Sequence, residues 1–157
     1  EVIGFDLSSS RRSYAVSHGI VSKAYDPREV SPDEFPTRTP QRWSFDGLAL
    51  DSAIDCVGAK ASVEFLMDRT KDVVALFGVQ KEPYTFNIQH YPGLRLCGYK
   101  GHSREAAEYA VGLIRQGKLS LKPLVTHHFP LERYDEAIEL LETQEAIKIC
   151  FWPWRDE

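Results

Sequence analysis

Near the start of the chain an acid stands at the end of a short apolar run. The run is Val2–Asp6, followed by the polar turn Ser8-Ser9-Ser10 and by a helix pattern over Ser9–His18 that Gly19 closes. A carboxylate at the carboxyl tip of a strand, just before a helix, can accept hydrogen bonds from both hydroxyls of a ribose. It would repel a 2′-phosphate, so Asp6 favours NAD over NADP. Arg11, one helical turn in, could cover the adenosine side. Both residues also have a plainer reading: Asp6 as the neighbour of a helix N-cap, Arg11 as a solvated surface charge. In dinucleotide-binding folds such an acid lies about 20 residues beyond a glycine-rich turn, whereas only five residues precede Asp6.

Three further strand tips carry glycine: Cys56-Val57-Gly58, Phe77-Gly78-Val79 and Cys97-Gly98. Parallel α/β sheets bind ligands beyond the carboxyl ends of their strands, and glycine lets a backbone approach a flat ring with no Cβ in the way. Turns also need glycine, so spacing alone leaves both readings open. Cys56, Cys97 and Cys150 are far apart and each lies in an apolar, strand-like run, so they read as core thiols of a cytosolic protein rather than a disulfide framework. No C-x-x-C or H-x-x-x-H spacing occurs. His127 and His128 are adjacent and would face opposite sides of a strand, poor geometry for holding one ion.

These residues need elements to place them. The pattern predicts strands at Val2–Asp6, Ile20–Tyr25, Asp51–Gly58, Asp72–Val79, Leu94–Gly98, Leu121–Phe129 and Ile147–Trp152, and helices at Ser9–His18, Ala61–Thr70, Ser103–Gln116 and Leu131–Glu142. The near-continuous apolar run of residues 72–79 reads as a strand buried on both faces. Ser103–Gln116 is amphipathic, with Ala106, Ala107, Ala110, Val111 and Ile114 on one side. The segment 26–41 holds Pro27, Pro32, Pro36 and Pro40 and reads as loop, while 43–50 is ambiguous. Alternation of this kind predicts an α/β fold of βαβ units with a largely parallel sheet, and after about residue 118 the rhythm changes, so the last strand-helix-strand piece reads as a different structural unit.

Composition narrows the function classes. A net charge of −4 argues against a nucleic-acid partner. No apolar run approaches a membrane span, and no signal-peptide pattern opens the chain, so a cytoplasmic setting is expected.

Taken together, "VIGFDLSSSRRSYAVSHGI", "SAIDCVGA", "VVALFGV", "LRLCGYKG" and "GKLSLKPLVTHHFPLERYDEAIELLETQEAIKICF" resemble, in that order and over nearly the whole chain, the carboxyl-terminal half of zinc-type medium-chain alcohol and polyol dehydrogenases. The most specific part is the tail, where a Thr-His pair is followed by Phe-x-Leu, a helix, and Ile-Lys before an apolar strand. The resemblance implies hydride transfer between the carbon of a small alcohol or polyol and the nicotinamide of NAD. It puts the glycine-rich turn, the first strand of the doubly wound order and the Cys and His zinc ligands upstream of Glu1, with no zinc ligand in this chain. The resemblance thus implies a partial doubly wound (Rossmann) parallel sheet over 1–118 and a strand-helix-strand tail over 119–157. Either a further segment supplies that first strand, or strands 2 and 3 of the order detach or re-pair, and the 157-residue chain alone is expected to bind NAD poorly and to be inactive.

The resemblance also places Asp6 on the adenosine ribose with Arg11 beside it, and Val57 and Gly58 along the cofactor cleft. It sets Phe77, Gly78 and Val79 along the nicotinamide, the backbone of Cys97 at the carboxamide, and Lys148 at the pyrophosphate. Where Lys148 stands the family often has Arg, so a bidentate grip becomes a point charge. The strand Leu94–Cys97 would pair with its copy, giving a homodimer or a tetramer of such dimers. Three rivals stay open. One is a zinc-free, NADPH-dependent enone or quinone reductase, against which Asp6 and Thr126-His127 tell. Another is a methyltransferase, which has no place for residues 117–152. The third is a nucleotide-binding or interaction module with no activity of its own.

Overall fold

Each regular element begins where local chemistry allows it. The computed structural model describes residues 1–40, 47–99 and 101–154. β1 (Ile3–Phe5) leads into α1 (Ser9–Ser17) through Ser8, whose Oγ accepts the Arg11 N–H, an N-cap bond. α1 ends at Gly19, where φ is +64°, a left-handed turn that glycine adopts without a Cβ penalty. β2 (Lys23–Tyr25) then runs parallel to β1, with Ile3 opposite Lys23. β3 (Leu50–Asp55), α2 (Lys60–Arg69) and β4 (Thr70–Leu76) form a second strand-helix-strand unit, and β5 (Arg95–Gly98) adds to β4. α3 (Arg104–Arg115) is capped by Ser103, whose hydroxyl accepts the Ala106 N–H, and stops at Gly117 with φ +69°. β6 (Val125–Phe129), α4 (Tyr134–Glu142) and β7 (Lys148–Phe151) complete the chain, with a 3-10 turn before β6 and another before α4.

All the strand pairs described are parallel, as the alternating pattern predicts, and they form three sheets: β1-β2, β3-β4-β5 and β6-β7. Among the described residues β1 and β2 pair only with each other. By packing, the chain forms two units: residues 1–26 with 102–157, and residues 27–101. The second unit has the fuller core, in which Val63, Leu66 and Met67 of α2 are buried together with Val74 of β4, Leu50 and Phe35. In the first unit Phe129, Ala137 and Ala146 are the apolar residues buried below the surface.

Several sequence expectations need correction. The three cysteines are exposed, not core: Cys56 lies just past the end of β3, and Cys97 and Cys150 lie on open stretches of β5 and β7. An apolar run marks a strand but does not say which of its faces is covered. β4 is likewise buried on one side only. α2 packs on β3 and β4 and covers Val74, while Val73 and Ala75 remain half-exposed and Ile54 of β3 is exposed. The strands at 51–58 and 72–79 stop at Asp55 and Leu76, because both chains leave the ladder to form a shared loop contact. Only 23–25 of the strand expected at 20–25 is paired, and residues 122–124 form a 3-10 turn where an extended segment was expected. α3 forms where its periodicity predicts, yet none of its residues is buried. Of the ambiguous stretch 43–50, residues 43–46 lie outside the described residues.

Candidate functional site

Every sequence-predicted site residue but Arg11, which lies in the first turn of α1, lies at or near a strand end, and they fall into separate groups. In the first unit, β1 delivers Asp6 to the turn before α1. The Asp6 N–H donates to the Tyr25 carbonyl at the end of β2, and Asp6 Oδ1 accepts the Ser8 N–H at 2.8 Å. Its second carboxylate oxygen has no partner among the described residues. Asp6, Arg11 and Arg12 line a cavity of about 240 Å³ together with Phe5, Leu124 and Ile147. That volume suits a nucleoside-sized group, below the usual range of about 300–1,000 Å³ for pockets that enclose whole ligands.

The neighbouring arginine, which the sequence reading passed over, has the structural task at this corner. Arg12 Nη1 donates to the carbonyls of Asp6 (2.7 Å) and Leu7 (2.9 Å) and lies 3.4 Å from Asp26 Oδ2. It thereby fixes the β1–α1 turn that presents Asp6. The signal was present in the pair Arg11-Arg12, since residues one apart on a helix face different ways and only one can turn back onto the strand. Lys148 opens β7, exposed, next to Ile147 of the cavity wall but not itself on it.

In the second unit the tips of β3 and β4 bring Val57, Gly58, Phe77, Gly78 and Val79 together. The glycines have a specific reason. A Cβ built on Gly58, whose φ is +76°, would lie 1.9 Å from the Val79 carbonyl oxygen, and one on Gly78 would lie 2.4 Å from the Gly58 nitrogen. The two loops therefore meet backbone to backbone, and only glycine fits at either position. Around this contact the apolar side chains of Val57, Phe77 and Val79 remain exposed. Tyr99, just past β5, meets the Phe77 ring edge-on, with centroids 4.9 Å apart. Cys97 sits on β5 opposite Ala75 of β4, one strand over from that tip.

Sequence reasoning missed the residue that holds these loops. Asp55, the last residue of β3, is 0% exposed. Its carboxylate accepts from Gly58 N–H (2.9 Å) and Ser62 Oγ (2.7 Å), and its carbonyl accepts from the N–H groups of Phe77 (2.9 Å) and Gly78 (2.8 Å). The "D-x-x-G-x-x-x-S" spacing of residues 55–62 was the available signal, an acid placed to collect backbone N–H groups in a turn. Partial burial and the adjacent Asp55 carboxylate push the Cys56 thiol up from its ordinary range. Among the described residues no group of three or more His, Cys, Asp or Glu side chains could hold a metal ion. His127 and His128 pair with successive residues of β7; His127 is half-buried near Phe129, and His128 is exposed against Trp152. No described helix is long and apolar enough to cross a membrane.

No protein-family model matches the chain. Human sorbitol dehydrogenase is 29% identical over 153 residues, which are 95% of this chain and 42% of that protein. The chain thus spans less than half the length of the curated relatives it matches, and the match is to a carboxyl-terminal part of polyol and alcohol dehydrogenases. Among solved structures, the zinc-dependent alcohol dehydrogenase 2 from Streptococcus pneumonia superposes with a TM-score of 0.76 at 21% identity, over 99% of this chain and 45% of that one. L-idonate 5-dehydrogenase from Escherichia coli gives 0.73 at 19% identity, over 96% and 42%. At these identities the structural likeness establishes the fold, a Rossmann-type α/β arrangement.

Proposed function

Since the chain matches the carboxyl-terminal part of polyol and alcohol dehydrogenases, we propose that it serves such an oxidoreductase as the segment that holds and orients NAD. The observation that carries this reading is Asp6: a strand-tip carboxylate with one oxygen unpartnered among the described residues, on the wall of a nucleoside-sized cavity beside Arg11. That oxygen suits a ribose hydroxyl and is unsuited to a 2′-phosphate. The exposed apolar surface of Val57, Phe77 and Val79 suits the nicotinamide ring, and the Cys97 backbone and Lys148 are assigned to the carboxamide and the pyrophosphate. When bound, the nicotinamide would accept a hydride from the alcohol carbon as the hydroxyl loses its proton. This chain would bind the dinucleotide, set the ring's position and shield one of its faces from water. Zinc, which would polarise the alcohol oxygen and ease its deprotonation, is assigned to the rest of the parent protein rather than to this chain, whose described residues hold no group of three or more His, Cys, Asp or Glu side chains fit for a metal ion. The substrate is a small alcohol or polyol, the functional break between cofactor domain and tail falls near residue 118, and the open edge of β5 is the surface for self-association.

The test is steady-state kinetics of the full-length protein on sorbitol and simple secondary alcohols with NAD and with NADP. NAD is expected to give the higher kcat/KM. Asp6→Gly should lower it about 10- to 100-fold for NAD, the equivalent of one or two charge-assisted hydrogen bonds, and much less for NADP. A wild-type preference for NADP would remove the role of Asp6 and favour the NADPH-dependent enone or quinone reductase. Failure to oxidise any alcohol with either cofactor would remove the reading as a whole.

A further inference from the structure

Asp55 lies at a junction that neither the sequence pattern nor the proposed function uses. It is wholly buried at the end of β3. Through its two side-chain oxygens and its carbonyl it joins three segments. Oδ1 accepts the Ser62 hydroxyl at 2.7 Å from the first turn of α2. Oδ2 accepts the Gly58 N–H at 2.9 Å from the β3–α2 loop. The carbonyl takes the N–H groups of Phe77 and Gly78 from the loop after β4. Longer approaches at 3.4 Å come from Val57 N–H and from Gln80 Nε2, and the latter also donates to the Gly78 carbonyl at 3.0 Å. Ala59, the N-cap of α2, makes no side-chain cap bond; two carboxylates stand at that helix start instead, Asp55 through the Ser62 hydroxyl and Glu82 through the Lys60 N–H at 3.2 Å, where negative charge is favoured.

The two loops so tied meet at Gly58 and Gly78 with no side chain between them. Their relative position is therefore set by hydrogen bonds and backbone contact, not by packing of large side chains. The residues displayed around the contact, Val57, Phe77 and Val79, are exposed and add nothing to the core. A knot this well satisfied beneath a surface this apolar fits a role in presenting that surface.

We infer that Asp55 is a positioning residue for the nicotinamide half of the dinucleotide, holding the loops 56–58 and 77–79 in register without touching the ligand. The inference rests on the cofactor reading above. It predicts a selective defect, in which grip on the nicotinamide half weakens while the adenosine half, held at Asp6 and Arg11, is unaffected.

The experiment measures, on the full-length protein, the Kd for NADH by its fluorescence and the inhibition constant of AMP as a competitor. Asp55→Ala is expected to raise the NADH Kd about tenfold, roughly 1.4 kcal/mol, with the AMP constant changed less than twofold. Asp55→Asn, which retains one acceptor oxygen, should recover part of the loss. Ser62→Ala, which removes a single donor, should shift the NADH Kd in the same direction by a few-fold. An unchanged NADH Kd in folded Asp55→Ala, or equal losses for NADH and AMP, overturns the inference alone. Where Asp55→Ala does not fold, Ser62→Ala decides: a selective loss supports the role and no change overturns it. A folded wild-type protein that binds neither nucleotide overturns the cofactor reading and this inference with it.

Discussion

Arg38 offers a sharp test of what holds the second unit together. It sits in the proline-rich loop before β3, yet it is only 5% exposed. Its Nε and Nη2 both donate to the Thr70 carbonyl (3.0 and 2.7 Å), Nη2 also to Lys71 (2.6 Å), and Nη1 to Pro92 (3.1 Å). One planar group thus joins the start of β4 to the loop before β5, and the Arg38 N–H binds the Asp68 carbonyl at 2.7 Å. Burial holds the guanidinium pKa below its ordinary value, with the Asp68 carboxylate opposing that shift. Asp68 in turn accepts from the buried His90, 2.7 Å away. In Arg38→Met the volume is kept but four carbonyls lose this donor, those of Thr70, Lys71 and Pro92 and, at 3.4 Å, that of Gln89. A buried acceptor left unpaired costs about 1–3 kcal/mol. Removal of the guanidinium also removes its desolvation penalty, and water can enter from the loop side, so the net loss should be about 3–5 kcal/mol.

Arg38→Lys keeps the charge but not the fork, and should lose about 1–3 kcal/mol. The assay is urea unfolding, combined with hydrogen exchange of peptides covering residues 70–76 and 90–98. With a slope of about 2 kcal/mol/M, Arg38→Met should lower the midpoint by roughly 2 M and speed exchange in those peptides first. A loss under about 1 kcal/mol, or a lysine variant no better than methionine, would refute the argument that the fork geometry holds these segments.

Three further outcomes are expected. Gly58→Ala must place a Cβ against the Val79 carbonyl at a φ of +76°, so it should cost about 2–4 kcal/mol and force the two loops apart; an unfolding free energy within about 0.5 kcal/mol of wild type would contradict the backbone contact. Cys56, pushed up by partial burial and, less, by the Asp55 charge, should react with iodoacetamide with a pH midpoint above the ordinary value of about 8.5, and a midpoint at or below that of a free cysteine peptide would show that neither burial nor the Asp55 charge acts on the thiol. Leu96→Lys on the edge strand β5 should weaken self-association in sedimentation, and a wild-type monomer at tens of micromolar, a range in which exposed edges associate, would remove β5 as an interface.

Much of this architecture is written in local pattern. The heptad-like spacing of residues 103–116 and 131–142, the serine at 103 and the glycines at 19 and 117 specify helices and their ends, because hydrogen bonds within a helix join residues only four apart. Alternation of such helices with short apolar runs predicts parallel pairing, and parallel pairing is what forms. The strand-tip acid Asp6 and the glycines of the β3 and β4 tips could also be found by their place at strand ends.

What local pattern does not contain is which segments meet. Arg38 and the Thr70 carbonyl are 32 residues apart, and nothing in a proline-rich loop announces a buried guanidinium. The glycine pair is legible as two turns, whereas their mutual contact, and Asp55 beneath it, exists only because β3 and β4 lie side by side with their tips level. The exposure of the three cysteines and of α3 was decided in the same way. Apolar periodicity says that a face can be buried, and the other segments present determine whether it is. Composition and spacing therefore set the elements of this protein and their direction. The tertiary structure chose the hydrogen-bond partners at the loops, because a buried donor must find an acceptor wherever the fold brings one within about 3 Å.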